Sequence, residues 1–119
     1  MDGPDDAWEW PDSLDALTAA PAQHRLLFEN DAVRVLETVI EPGDTTPVHT
    51  HRWPGIFYVL STAHFVRRDG DGAVLVDTRA AGVSLEQGAA VWTAALPPHT
   101  LENVGAAEIR LMGVELKPR

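Results

Sequence analysis

The chain has 119 residues, with eighteen acidic against nine basic side chains and a formal net charge of −9. That length suits one domain, and the acidic balance argues against a nucleic-acid partner, whose phosphates need a clustered basic face. Cysteine is absent, which removes disulfides, thiolate nucleophiles and zinc–thiolate sites.

The N-terminal run Met1-Asp2-Gly3-Pro4-Asp5-Asp6 is acidic and has no apolar core, so no secretory leader is predicted. The longest apolar stretch, around Ala89 to Leu96, is too short to cross a bilayer. A cytoplasmic protein without a membrane partner is the expectation. Residues 1–23 are predicted to form an arm with a short helix: Asp12-Ser13 give an N-cap signal, Leu14, Ala16, Leu17, Ala19 and Ala20 follow, and Pro21 stops it. Trp8 and Trp10 are read as anchoring this arm on the body or on a partner subunit.

Residues 24–119 are predicted as the body, and from Arg25 onward the pattern is strand and turn. Val33, Val35, Glu37 and Val39 alternate with Arg34, Leu36, Thr38 and Ile40, ended by Glu41-Pro42-Gly43-Asp44. Short extended pieces follow over 48–51, 56–60 and 64–67. Asp69-Gly70-Asp71-Gly72 is a hairpin-type turn into a strand over 73–76. Further strands are predicted over 90–93, 99–104 and 109–117. Many short strands separated by turns point to an all-β sandwich or barrel. Arg67-Arg68 is read as a solvated surface pair.

The chemistry concentrates in histidine. His49 and His51 stand at i and i+2, so on a strand they share a face about 7 Å apart along the chain. His99, far along the sequence, can join them from a neighbouring strand and complete a site with open metal positions. Fe(II), Mn(II), Ni(II), Cu(II) and Zn(II) all accept imidazole. His24 is read as a surface residue, and His64 as a less favoured candidate to approach the site. Neither a Ser-His-Asp order nor a glycine-rich phosphate loop is present, and no catalytic residue is assigned.

These residues resemble the cupin superfamily. Gly43-x5-His49-x-His51 is similar to the first half of the first cupin motif, and Gly88 followed by His99 and Asn103 is similar to the second. Tyr58-Val59-Leu60 stands where cupins carry a comparable triplet. The resemblance covers residues 25–117 and implies a small single-domain antiparallel β-barrel of jelly-roll type, commonly a homodimer. It also implies one divalent ion held by the first motif's two histidines and glutamate and the second motif's histidine.

Departures are specific. Gly55 or Ile56 falls where the family places its glutamate ligand, and Thr62 stands near the motif's closing glycine. Ala94 and Leu96 replace the second motif's proline and glycine, with Pro97-Pro98 beside the histidine instead. The predicted ligand set is therefore His49, His51 and His99. Three neutral imidazoles leave a dication near +2, which favours an anionic, bidentate substrate or a deprotonated water.

Dioxygenases of thiols and β-diketones resemble this chain in using three histidines. They imply an Fe(II)-dependent oxygenase of a small anionic or enolisable molecule. A non-redox isomerase, lyase or hydrolase and a non-catalytic binding protein are the alternatives. Trp53, Phe57 and Trp92 are the predicted pocket residues. Phe57 and Val59 share the parity of position 55 and should face the interior. Asn103 is read as serving the fold and Glu102 as pointing outward. Glu37 and Glu115 interrupt apolar alternation, so each is read either as an interior carboxylate with a raised pKa or as an edge residue.

Overall fold

The computed structural model describes residues 8–118; the acidic run at the extreme N-terminus lies outside them. The described residues form nine strands: β1 (His24–Glu29), β2 (Val33–Ile40), β3 (His49–His51), β4 (Gly55–Ser61), β5 (Phe65–Asp69), β6 (Val74–Asp77), β7 (Ala90–Thr93), β8 (Leu96–Asn103) and β9 (Ile109–Leu116). They make two antiparallel sheets, one ordered β1-β2-β9-β4-β7 and the other β3-β8-β5-β6.

Alternation decides which side chains face inward. β2 and β9 pair in unbroken register from Val33↔Leu116 to Ile40↔Ile109. Side chains alternate between the faces of a strand, so Arg34, Leu36, Thr38 and Ile40 share the inner face with Glu115, Gly113, Leu111 and Ile109. Leu36, Ile40 and Ile109 are at most 2% exposed. At one end Ile40, Phe65 and Ile109 pack with Val76, Leu85, Leu101 and Leu111 into an apolar plug.

Asn103, fully buried, ties that end together. Its Nδ2 donates to the carbonyls of Ile40 (2.9 Å) and Ala107 (2.8 Å), and its Oδ1 accepts from the Gly105 amide at 2.9 Å. Satisfying three backbone groups at once is a fold role.

The arm departs in detail from its predicted form. A 3-10 turn over Asp12–Leu14 precedes α1 (Ala16–Ala19), and the N-cap is Asp15, whose carboxylate accepts from the Leu17 amide at 3.1 Å. β8 begins at Leu96 and runs through both prolines, earlier than the predicted start at His99, and its pairing with β3 is irregular there. α2 (Thr78–Ala81) carried no periodic signal because it is one turn long. Asp77 caps it and Gly82, at φ 66°, ends it in the left-handed conformation that glycine adopts freely.

Candidate metal centre

At the end of the barrel opposite the apolar plug, four histidines meet. β3 supplies His49 and His51, β8 brings His99 into register opposite His49, and β1 opens with His24. Ring centroids lie 4.3 Å apart for His49–His99, 5.1 Å for His49–His51 and 5.7 Å for His51–His99, so these three rings are neighbours. His24 corrects the surface reading: it is 5% exposed, and its ring lies 4.7 Å from His49 and 5.3 Å from His51. One nitrogen each from His24, His49 and His51 falls within 4.8 Å of the others.

The outward hydrogen bonds show which nitrogens face inward. Nδ1 of His24 donates to the Ala20 carbonyl (3.0 Å), His49 to Pro47 (2.8 Å), His99 to Pro97 (2.7 Å) and His51 to the Glu115 carboxylate (2.9 Å). All four partners are acceptors, so each Nδ1 carries a proton and Nε2 is the nitrogen left to face the centre. Two of these acceptors come from the same local device, Pro-x-His at 47–49 and 97–99. The third is the Ala20 carbonyl just past α1, which also accepts from the Gln23 and His24 amides.

Burial, and then the neighbouring imidazoles His51 and His49, push His24 down to about 3. Burial followed by His49 brings His99 to about 3, and burial followed by His51 brings His49 to about 4. These rings are therefore neutral near pH 7 and available as ligands. A set of neutral imidazole nitrogens with oriented outer partners suits a divalent first-row metal.

At Gly55, one of the two positions where the resemblance would put a glutamate, a Cβ would collide with the Val114 carbonyl oxygen. Gly55 pairs with Glu115 across the β4–β9 ladder, and Glu115 (7% exposed) reaches His51 from outside the cluster. Its other oxygen accepts from Arg34 Nε at 2.8 Å, and Arg34 grips Asp15 with both terminal nitrogens at 2.8 and 3.0 Å. An unbroken chain of charged contacts thus runs from the arm to a ring of the cluster. The Arg34 guanidinium also lies 5.0 Å from the Trp53 ring.

The other candidates separate cleanly. Glu37 is on the outer face, between Arg25 (3.0 Å) and Arg110 (2.8 Å). His64 is exposed and its Nδ1 meets the Thr78 hydroxyl at 2.9 Å, away from the cluster. Glu102 pairs with Arg68 at 2.9 Å.

A cavity of about 290 Å³ joins the histidines to the barrel interior. Trp53 and Phe57 contribute to its lining, whereas Trp92, 60% exposed and paired with Ile56 on the outer face of its sheet, touches only the cavity's edge. Arg67 corrects the reading of a solvated pair: it lines the cavity, and only Arg68 meets a surface carboxylate. Alternation on β5 puts the two on opposite faces. No described helix is long and apolar enough to cross a membrane.

Neither a protein-family model nor a curated protein sequence matches the chain. Solved structures do share its architecture. A cupin domain from Bordetella pertussis Tohama I superposes with a TM-score of 0.64 at 19% identity, over 80% of this chain and 92% of that one. An RmlC-like cupin family protein with a double-stranded β-helix fold from Methanocaldococcus jannaschii gives 0.57 at 12% identity, over 79% and 78%. The polyketide cyclase RemF from Streptomyces resistomycificus gives 0.53 at 23% identity, over 81% and 65%. The chain therefore has the cupin fold, and it carries at one end of its barrel a histidine cluster compatible with a metal site.

Proposed function

We propose that this chain is a divalent-metal enzyme, with Fe(II) the favoured ion, that oxidises a small anionic or enolisable organic molecule with O₂. The observation that carries the reading is the cluster of four imidazoles, each with an Nδ1 proton committed elsewhere and three of them (His24, His49 and His99) buried and neutral, at the wall of a largely apolar cavity. His24, His49, His51 and His99 would hold the ion. Bound there, it would supply Lewis acidity and, as iron, electron transfer with O₂.

The protein's own contribution is charge and exclusion of water. Neutral ligands leave the dication uncompensated, so an anionic substrate is the preferred further ligand. Leu36, Phe57, Leu96 and Leu101 line the path beside the cluster and lower the local dielectric, which strengthens that attraction. The Asp15–Arg34–Glu115 chain holds His51 in orientation. In a dioxygenation both oxygen atoms enter the product, so no external reductant is needed.

The test is oxygen consumption by protein reconstituted with Fe(II), across thiols, β-diketones and phenolic acids, with His49→Ala as control. Absence of substrate-dependent uptake over the whole panel would count against it. The similarity to a polyketide cyclase favours a second reading, non-redox chemistry in which the ion acidifies an enolisable carbonyl. Turnover that persists without air, with zinc or nickel in the purified protein, would select it.

We also propose a homodimer. Ile56, Tyr58, Trp92 and Met112 share the outer face of the larger sheet in register, and they are between 37% and 60% exposed. A contiguous apolar face of this kind is uncommon on a monomer. Light scattering that returns the mass of one chain would remove this part of the reading.

A further inference from the structure

Arg67 lies on β5 opposite Leu101 of β8, and on that strand His99 is two residues from Leu101. Diagonal neighbours of this kind stand roughly 7–8 Å apart, within reach of a long side chain. Arg67 and the four histidines line one cavity. Every other described lysine or arginine has a carboxylate partner within 4 Å. Arg67 has none among the described residues, and its Nε is buried without a hydrogen-bond acceptor. Burial is also what pulls its pKa down.

Arg67 is half-buried, with its Nε out of reach of solvent, and a cation partly withdrawn from water is ordinarily paired with a counter-charge. Asp69, on the same strand, makes no ion pair with it, and its Oδ1 accepts from the amides of Asp71 and Ala73 in the following turn. The neighbouring cavity wall is apolar, built from Leu85, Leu101 and Phe65.

We infer that Arg67 is the docking residue for the carboxylate of the substrate, so that the cavity takes a small carboxylic acid with an apolar body and a second donor atom facing the histidines. The inference rests on the metal-enzyme reading above and names its substrate class. The guanidinium fork matches a carboxylate or a phosphate in two parallel hydrogen bonds. The cavity separates them. At about 290 Å³ it sits at the bottom of the roughly 300–1,000 Å³ range of small-molecule sites. Its apolar wall suits a carboxylate's single charge on an apolar body better than a doubly charged phosphate. A carboxylate on Arg67 leaves the remainder of the molecule beside His99, where its enol, hydroxyl or thiol would meet the metal position.

The test uses metal-free, full-length protein and calorimetric titration with benzoate, benzamide and phenyl phosphate, three ligands of one body and different heads. Benzoate should bind at least about tenfold more tightly than benzamide. Arg67→Met should lose about tenfold or more of the benzoate affinity, and Arg67→Lys should recover part of it, keeping the charge without the fork. Co(II) titration of the same variants should match wild type, showing the histidines undisturbed. Equal binding of benzoate and benzamide, tighter binding of phenyl phosphate, or undiminished benzoate binding by Arg67→Met would overturn the inference. The wild-type comparison decides alone if a variant does not fold. Failure of wild-type protein to take up Co(II) would sink the metal reading while leaving the benzoate comparison intact.

Discussion

Two arginines face the inside of this barrel from opposite sheets, and their surroundings are opposite. Arg34, on β2, is 5% exposed and held between Asp15 and Glu115 by three charge-assisted bonds. Arg67, on β5, lines the cavity with no carboxylate among the described residues in reach. A paired buried arginine is part of the scaffold, because its charge is already cancelled and its donors are committed. One left unpaired is a vacancy for an anion. The region around Arg34 should therefore govern stability and the aim of His51, and the region around Arg67 should govern what binds.

Acid should produce the largest effect, and it acts on the histidine end between the two. The unfolded chain takes up protons at its histidines near pH 6.5, whereas native His24 and His99 resist to about 3 and His49 to about 4. Over that window the unfolded state binds more protons, so stability of the metal-free protein falls as pH falls. Each such histidine adds about 1.4 kcal/mol per pH unit. Denaturant melts from pH 8 to pH 4 should show a plateau above about 7 and a steep decline below. A flat profile would mean that the rings are solvated.

Arg34→Met comes next. It leaves the buried Glu115 and the half-buried Asp15 without their cation, a loss of about 3 kcal/mol. Chemical denaturation measures it directly. A change below 1 kcal/mol would show that the chain from the arm to His51 has no structural weight.

The sequence revealed more of one region than of the other. His49, His51 and His99 are legible because strand parity and the cupin-like spacing both mark them, and their convergence needs only that β3 and β8 be neighbours. His24 is not. β1 has no alternating pattern, its pairing with β2 slips between Leu26 and Phe28, and a strand's first residue carries no parity signal. The two Pro-x-His steps at 47–49 and 97–99 are a local signal of ring orientation that the sequence reading did not use. Arg67 was misread because a dibasic pair looks solvated until β5 is known to run between β8 and β6, which turns one arginine inward and the other out. Glu115 could be recognised as anomalous in its strand, yet its partners lie 64 and 81 residues away, a separation no local pattern spans. The missing glutamate at Gly55 or Ile56 was visible; the collision that a Cβ at Gly55 would meet belongs to the packing of β4 on β9.

A smaller effect should follow from Glu115→Gln, which keeps the size of the side chain but removes the charge that orients His51 and satisfies Arg34. Outer partners of metal-binding histidines are typically worth 10- to 100-fold in affinity. Co(II) affinity should therefore fall by about tenfold or more, with the fold retained. Undiminished Co(II) affinity would reduce Glu115 to an ion-pair partner of Arg34.

The smallest stability effect should come from Arg67→Met, and its direction is the sharpest statement of the contrast. Removing Arg34 strands two carboxylates, but removing Arg67 strands none, because no described carboxylate is paired with it. The substitution also replaces a poorly compensated cation with an apolar chain in an apolar wall, which relieves desolvation. Stability should change by less than about 1 kcal/mol, and the expected sign is a gain. In saturating benzoate the order should reverse, since ligand that binds only the native state stabilises it in proportion to its affinity. Thermal melts of wild type and Arg67→Met, each with and without benzoate, read both signs in one experiment. A variant much less stable than wild type in the absence of ligand would place Arg67 in the scaffold beside Arg34 and erase the difference between the two ends.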